Sequence, residues 1–379
     1  MNISNFQQCS NCGACYSICP QGAITVKEDR LFYVPTVDAS LCVECSLCTK
    51  VCPVNRTFEG NKPIYACGGW HKDSNIVLSS SSGGVFYGIA KNVISHGGVV
   101  FSAAYSDDCR TVRFVSSDDV RLDEMMKSKY VESLVGDSFK RVRYELDSGR
   151  YVLFCGTPCQ VAGLKSYLEE EYERLITCDF ACGGLPSHTI YKEYLSFLEK
   201  KYRSKVESVD FRPKSHGWKR YAVKIKFKNG KEYLRLGTED PYLKSFLYGK
   251  MTVRDYCMEC KFSECHASDI SIADFWLHDK FSSLKHKNGI SLVLCNTPKG
   301  KKTIELLKEE YVFSELDTEV ASYNNKVQIS EKRKENRKLF LDRYKKDGFE
   351  GAKRVFLRNS TKEKIRNWIV REFCKEKDL

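Results

Sequence analysis

No run in this chain approaches the 18 apolar residues that a membrane span requires. No apolar stretch precedes Cys9, so a secretory signal peptide is not expected. No histidine occurs before His71, which counts against a zinc module of mixed cysteine and histidine at the front of the chain. The 379 residues are 42% hydrophobic and 29% charged, ordinary for a globular protein of two or three domains. What the chain has in excess is cysteine, with nineteen. Without an export signal, that number implies a reducing cytoplasmic setting and metal rather than disulfides.

Eight of the cysteines lie in the first 52 residues. Cys9, Cys12, Cys15 and Cys19-Pro20 form a C-x2-C-x2-C-x3-C-P run, and Cys42, Cys45, Cys48 and Cys52-Pro53 repeat it. This is the bacterial two-cluster ferredoxin spacing, in which the fourth cysteine of each run ligates the other cluster. The expected sets are Cys9, Cys12, Cys15 and Cys52 on one 4Fe-4S cluster, and Cys42, Cys45, Cys48 and Cys19 on the second. Three thiolates two residues apart wrap one face of a cube, the distant fourth closes the cage, and the following proline stops the chain from continuing as helix.

The chain divides into a ferredoxin module at 1–58, a body at 64–320 (parts at about 64–145 and 146–320) and a basic helical tail at 321–379. Helices are predicted over 84–95, 161–170, 187–201 and 299–310. Strands are predicted over 99–105, 111–115, 151–155, 175–180, 269–273 and 291–296. Asn229-Gly230 joins the strands 221–227 and 232–236 as a hairpin. Strands alternating with helices predict an α/β body on a mixed sheet, an α+β arrangement once the module and tail are included. The net charge of +12 is uneven: Ser330 to Leu379 holds 17 Lys+Arg against 9 Asp+Glu. A solvated helical tail is the plain reading. Docking of an acidic redox protein and peripheral contact with anionic lipid are the sharper ones. No nucleic-acid recognition motif accompanies the charge.

Several segments carry chemistry. In RYVLFCGTPCQVAGL, Thr157 is a candidate N-cap and Pro158 stands at the first helical position. Cys159 then falls in the first turn, where the helix dipole favours a thiolate that serves as nucleophile or metal ligand. Cys182 follows a second strand, and Cys257 and Cys260 form a C-x2-C pair with Cys265 five residues on. A third cluster needs four thiolates: Cys159, Cys257, Cys260 and, from spacing alone, either Cys182 or Cys265. Cys155, Cys178 and Cys295 read as core residues of apolar strands. The loop Ser81-Ser82-Gly83-Gly84 offers N–H groups and hydroxyls to a phosphate, or is an ordinary helix start. His216, beside Gly217-Trp218, and Asp274, at a strand end, are the candidate catalytic residues.

Taken in order, SSSGGVF, Ser128-Lys129-Tyr130-Val131, FCGTPCQVAGLK, CDFACGGLPS, FRPKSHGW, DISIADFW and GISLVLCNT resemble the coenzyme F-420 hydrogenase/dehydrogenase beta-subunit family. The resemblance is to its bacterial members with an N-terminal ferredoxin, of the type associated with polysaccharide biosynthesis. It implies an iron–sulfur flavoprotein with FAD and a third 4Fe-4S cluster, and it favours Cys182 over Cys265 as the fourth ligand. It also implies FAD contacts at Ser81, Ser82, Gly83 and Gly84, with Ser128, Lys129 and Tyr130 beside them. The family's C-H-G-x-P-S reads Cys182-Gly183-Gly184-Leu185-Pro186-Ser187 here. Its G-D-F-W-G reads Ala273-Asp274-Phe275-Trp276-Leu277. These departures put close cofactor approach at Ala273 and Leu277 in question.

The expected function is a cytoplasmic oxidoreductase. It would pass electrons from a ferredoxin-like partner through the clusters to FAD and a small-molecule acceptor, a sugar nucleotide or another polysaccharide-biosynthesis intermediate. The alternatives are a non-catalytic electron-transfer subunit of a larger hydrogenase-type or dehydrogenase-type complex, and a flavin-free cluster-binding protein.

Overall fold

The computed structural model describes residues 8–29, 31–56, 60–262, 266–281, 283–323, 331–357 and 360–373. Cys265 and Cys374 lie outside the described residues.

The front of the chain is small. The strands Ile24–Asp29 and Phe32–Val37 pair antiparallel, flanked by the short helices Ala14–Ile18 and Leu47–Lys50. Each helix follows a residue in the left-handed region, Gly13 (φ +92°) and Ser46 (φ +64°). The reversal tightens the chain where successive cysteines must turn around one centre.

The body is built on a nine-stranded mixed sheet. Its order is Tyr311–Leu316, Tyr65–His71, Ser291–Cys295, Ile270–Asp274, Leu175–Phe180, Val152–Gly156, Val99–Tyr105, Val112–Ser116 and Ser133–Leu134. The four central strands, 270–274 to 99–105, run parallel, and antiparallel strands flank them. The central strands are rich in Val, Leu, Phe and Cys, and 152–156 is buried at all five positions, as a strand covered on both faces must be. The helices Val85–Ser95 and Pro158–Leu168 pack on this sheet. A second sheet of Val206–Asp210, Ala222–Phe227 and Glu232–Leu236 contains the hairpin at Asn229-Gly230.

Two expectations need correction. The predicted helix over 299–310 covers only Pro298–Glu305, and residues 311–316 form an edge strand instead. Tyr311, Phe313 and their neighbours gain more by pairing with Tyr65–His71 than by extending a helix. The basic C-terminal segment is also more than a solvated tail. Phe340, Tyr344, Phe349 and Ala352 of the helix Glu331–Phe356 are buried in one core with Tyr191, Tyr194 and Phe227. Its charge lies on the outer face while its aromatics hold the body.

Candidate functional site

Two small cavities occupy the front module. Cys9, Cys12, Cys15 and Cys52 line one with Tyr16 and Pro35. Cys19, Cys42, Cys45 and Cys48 line the other with Ile24 and Val37. The fold thus exchanges the fourth cysteine of each run. The two sets differ in exposure. Cys45 is exposed, beside the exposed Leu41 and Val43, while Cys9, Cys12 and Cys52 are buried. Burial pushes the Cys12 thiol up to about 12, and the neighbouring Cys52 and Cys9 add to the shift. Four thiols so placed cannot all ionise alone. A bound cation removes that penalty, because metal ligands bind deprotonated. Among the described residues no group of three or more His, Cys, Asp or Glu closes on a single metal ion. Sulfurs around one tetrahedral zinc would stand about 3.8 Å apart, at a Zn–S distance of about 2.3 Å. A cage too wide for one ion and lined by four thiols suits a four-iron cube instead.

A third group of cysteines comes from three separate elements. Cys159 opens the helix Pro158–Leu168, with Thr157 as N-cap and Pro158 in the first turn. Gln160 Oε1 accepts from both the backbone N–H and the hydroxyl of Thr157, at 3.0 Å each. Cys182 lies in the loop after the strand Leu175–Phe180, and Cys257 in the short helix Asp255–Glu259. Gly184 (φ +105°) brings the loop against Cys257: a Cβ there would stand 3.2 Å from the Cys257 Cβ. The Leu185 N–H points at Cys257 Sγ, 3.4 Å away. Burial pushes the Cys159 thiol well up, and the charges of Cys260 and Cys182 push in the same direction. Burial likewise raises Cys182 to about 11 and lifts Cys257 further, with Cys260 acting on both and Cys182 acting on Cys257. These four thiols therefore share one electrostatic neighbourhood. A raised Cys159 does not suit a free nucleophile, despite its helix-start position; it suits a ligand. Cys159 also feels Cys12 of the front module.

Between these two groups lies a buried ionic network that the sequence did not signal. Glu132 is fully buried and accepts from Arg254 Nη2 (3.1 Å), Asn11 Nδ2 (3.4 Å) and Tyr33 N (3.1 Å). His188 Nδ1 lies 2.6 Å from its other oxygen. Arg254 also donates to the carbonyls of Cys9 (3.3 Å) and Tyr33. Its partners come from positions 9, 33 and 132, distances in sequence that no spacing rule spans.

A cavity of about 500 Å3 opens beside the third cysteine group, and Cys182 forms part of its wall. Of the expected cofactor residues, Ser81, Ser82, Gly84, Ser128, Lys129 and Tyr130 line it. Ser81 Oγ accepts from the Ser128 N–H at 2.9 Å, and the two hydroxyls lie 3.1 Å apart, so the two loops are pinned together. Gly83 does not line the cavity. Its N–H donates to Ser291 Oγ at 2.9 Å, and a Cβ there would collide with the Gly69 carbonyl, so this glycine serves packing. Asp274 is in the wall, but Arg212 grips it through Nη1 at 2.6 Å and Nη2 at 3.3 Å, and Trp218 Nε1 donates at 3.2 Å. That saturation makes Asp274 a structural carboxylate. His216 is buried and does not line the cavity. Partly exposed aromatic rings of Phe180, Tyr248 and Trp276 border the space. Lys129 and Lys250 donate to backbone carbonyls, with no carboxylate bonded to either. Burial pulls Lys129 down to about 7, against the opposing pull of Cys155 and Asp210.

The cavity fits a flavin in kind: it is within the size range of cofactor sites, mostly apolar, and supplied with two uncompensated cations and a helix start at Gly84.

Comparison with known proteins places these features in families. Residues 149–319 match the family defined by the C terminus of the coenzyme F-420 hydrogenase/dehydrogenase beta chain, and residues 8–56 match the 4Fe-4S dicluster domain. The F subunit of the F(420)H(2) dehydrogenase of Methanosarcina mazei is 25% identical over 44% of this chain and 51% of its own length. The coenzyme F-420-dependent sulfite reductase of Methanocaldococcus jannaschii is 23% identical over 82% of this chain and 48% of its own length. The chain thus spans about half the length of these relatives. A ferredoxin-like protein from the nif region of Rhizobium leguminosarum bv. trifolii is 41% identical over 13% of this chain and 81% of its own length. A chain of the F-420-reducing NiFe hydrogenase complex from Methanosarcina barkeri superposes with a TM-score of 0.48 at 15% identity, over 76% of this chain and 96% of that one. No helix among the described residues is long and apolar enough to cross a membrane.

Proposed function

Because the chain belongs to the coenzyme F-420 hydrogenase/dehydrogenase beta-subunit family and carries a 4Fe-4S dicluster domain at its front, we propose that it is an iron–sulfur flavoprotein oxidoreductase with three clusters and FAD. The observation that carries this reading is the double position of Cys182, which lines the large cavity and shares charge interactions with Cys159, Cys257 and Cys260. Cys9, Cys12, Cys15 and Cys52 would hold one cluster, Cys19, Cys42, Cys45 and Cys48 the second, and Cys159, Cys182, Cys257 and Cys260 the third.

The sets line up. The exposed Cys45 marks where a ferredoxin-like partner would dock, Cys12 adjoins Cys159, and Cys182 opens on the cavity. A bound flavin supplies the exchange between single electrons and a hydride, which cluster cysteines cannot perform. The chain's residues provide the surroundings. Ser81, Ser82, Ser128 and the helix start at Gly84 offer hydrogen-bond donors to phosphate. Tyr130 packs between Phe211 and Phe246, at centroid distances of 5.5 Å and 5.4 Å, and stiffens one wall. Lys129 and Lys250 favour an anionic occupant. A phosphorylated acceptor such as a sugar nucleotide agrees with that charge and with the polysaccharide-associated members that the motifs resemble.

Iron, acid-labile sulfide and released flavin on anaerobically purified protein test the reading. About twelve irons and one FAD per chain are expected from three four-iron clusters and one flavin. About eight irons and no flavin would sink it.

A second reading, an electron-transfer subunit of a larger complex, is favoured by the Methanosarcina mazei relative, which is itself a dehydrogenase subunit. It predicts a stable co-purifying partner and turnover only in that partner's presence.

A further inference from the structure

The charged groups of the large cavity are not equivalent. Asp274 is held by Arg212, and Lys127 forms an ion pair with Asp210 at 2.6 Å. Lys129 has no such partner. Its ammonium donates to the Met126 carbonyl at 2.6 Å and the Lys127 carbonyl at 3.3 Å, which leaves one of its three N–H bonds for the cavity it lines. The loop that carries it is stiff. Lys127 is in the left-handed region (φ +64°), Ser128 is pinned to Ser81, and Tyr130 is wedged between two phenylalanines.

We infer that Lys129 is the proton-binding residue of this cavity, taking up a proton when a flavin bound there is reduced. The inference rests on the proposed flavin site and adds a role for one residue. Two electrons, delivered singly by the clusters, and one proton enter the flavin. A second proton passes from water to the Lys129 amine, which becomes an ammonium ion facing the added negative charge. Reoxidation by the acceptor returns both.

The surroundings allow the switch. Burial holds Lys129 at about 7, so the amine and the ammonium are both accessible near neutrality. The charged and titratable groups that act on it are Cys155 from the strand Val152–Gly156, Asp210 from Val206–Asp210, Glu124 from the helix Leu122–Met125, and Lys127 from its own loop. Asp210 is already committed to Lys127. A new negative charge in the cavity would therefore act on Lys129 with little competition, raising its proton affinity.

Proton uptake on reduction tests this directly. The full chain, loaded with FAD, is reduced in weakly buffered solution with an indicator dye, and protons are counted per flavin for the wild type, Lys129→Met and Lys129→Arg. At about pH 8 the wild type should take up close to one proton more than either variant, since Met binds none and Arg is charged in both states. At about pH 5.5 the difference should vanish, because Lys129 is then charged before reduction. Equal uptake by all three at about pH 8, with equal flavin content, overturns the inference and leaves the flavin site standing. Failure of the wild type to retain FAD overturns both, and flavin release identifies that outcome before any proton is counted.

Discussion

Gly163 of the helix Pro158–Leu168 lies against Cys12 of the front module. A Cβ at Gly163 would stand 3.0 Å from the Cys12 Cβ and 3.1 Å from its Sγ. The helix that begins with Cys159 thus touches the front module through a residue with no side chain. This contact holds the two cysteine groups together, and a larger residue must push Cys12 aside. Gly163→Val should cost about 1–3 kcal/mol as an overpacking change. It should also lower the iron content by about one four-iron cluster. Iron analysis beside urea unfolding checks both, and unchanged iron would mean that the contact is incidental.

Cys182→Ala separates the two cluster regions chemically. Cys182 lies far from both front cavities in sequence and acts on Cys159 and Cys257. The variant should lose about four irons and keep the eight expected of the front module. Cys45→Ala should do the reverse, losing iron at the front alone. Iron counts and low-temperature EPR of both variants decide the matter. A Cys182→Ala protein with full iron would return Cys265 to consideration.

Arg254 and Glu132 form a buried pair whose members should not behave alike on removal. Arg254→Met leaves the Glu132 carboxylate buried without its cation, an unpaired charge that costs about 3–5 kcal/mol. Glu132→Gln in the same background removes that charge and should restore much of the loss. Urea unfolding of the two single variants and the double variant forms the cycle. Additive losses would show that the pair does not interact.

His266 and Asp179 provide a stability term that depends on pH. Burial works against a charged imidazole at His266, but the hydrogen bonds at 2.9 Å and the charge of Asp179 outweigh it and hold the group above its ordinary 6.5. A raised folded-state value means that the stabilisation is complete below the unfolded value and is lost as pH rises through the folded one. Unfolding midpoints of wild type and His266→Gln should therefore differ most on the acid side of pH 6.5 and converge in alkali. A gap that stays constant across that range would remove the ion pair from the account.

Much of the secondary structure was legible because local patterns control it. The strands 99–105 and 175–180 stand where their apolar runs predict, and Thr157-Pro158 begins a helix as its capping chemistry requires. The edge strand at 311–316 was not legible. Whether such a segment pairs depends on an open edge elsewhere, here Tyr65–His71. The burial of Phe340 and Phe349 was hidden by the charge around them, since a count of lysines and arginines says nothing about which helical face they occupy. Gly83 looked like a cofactor glycine, but the backbone of Gly69 is what requires it.

The sequence by itself determined the iron–sulfur chemistry of the front module, because cluster ligation demands a fixed residue type at short, repeated intervals that chain geometry translates directly into a cage. The tertiary structure alone decided how that chemistry connects to the rest. It set Cys12 against Gly163, gathered Cys159, Cys182 and Cys257 into one charge neighbourhood, and saturated Asp274 with Arg212 while leaving Lys129 without a carboxylate. These relationships join residues tens to hundreds of positions apart. Their energies come from burial and close packing, which depend on what the fold brings together and have no signature in local spacing.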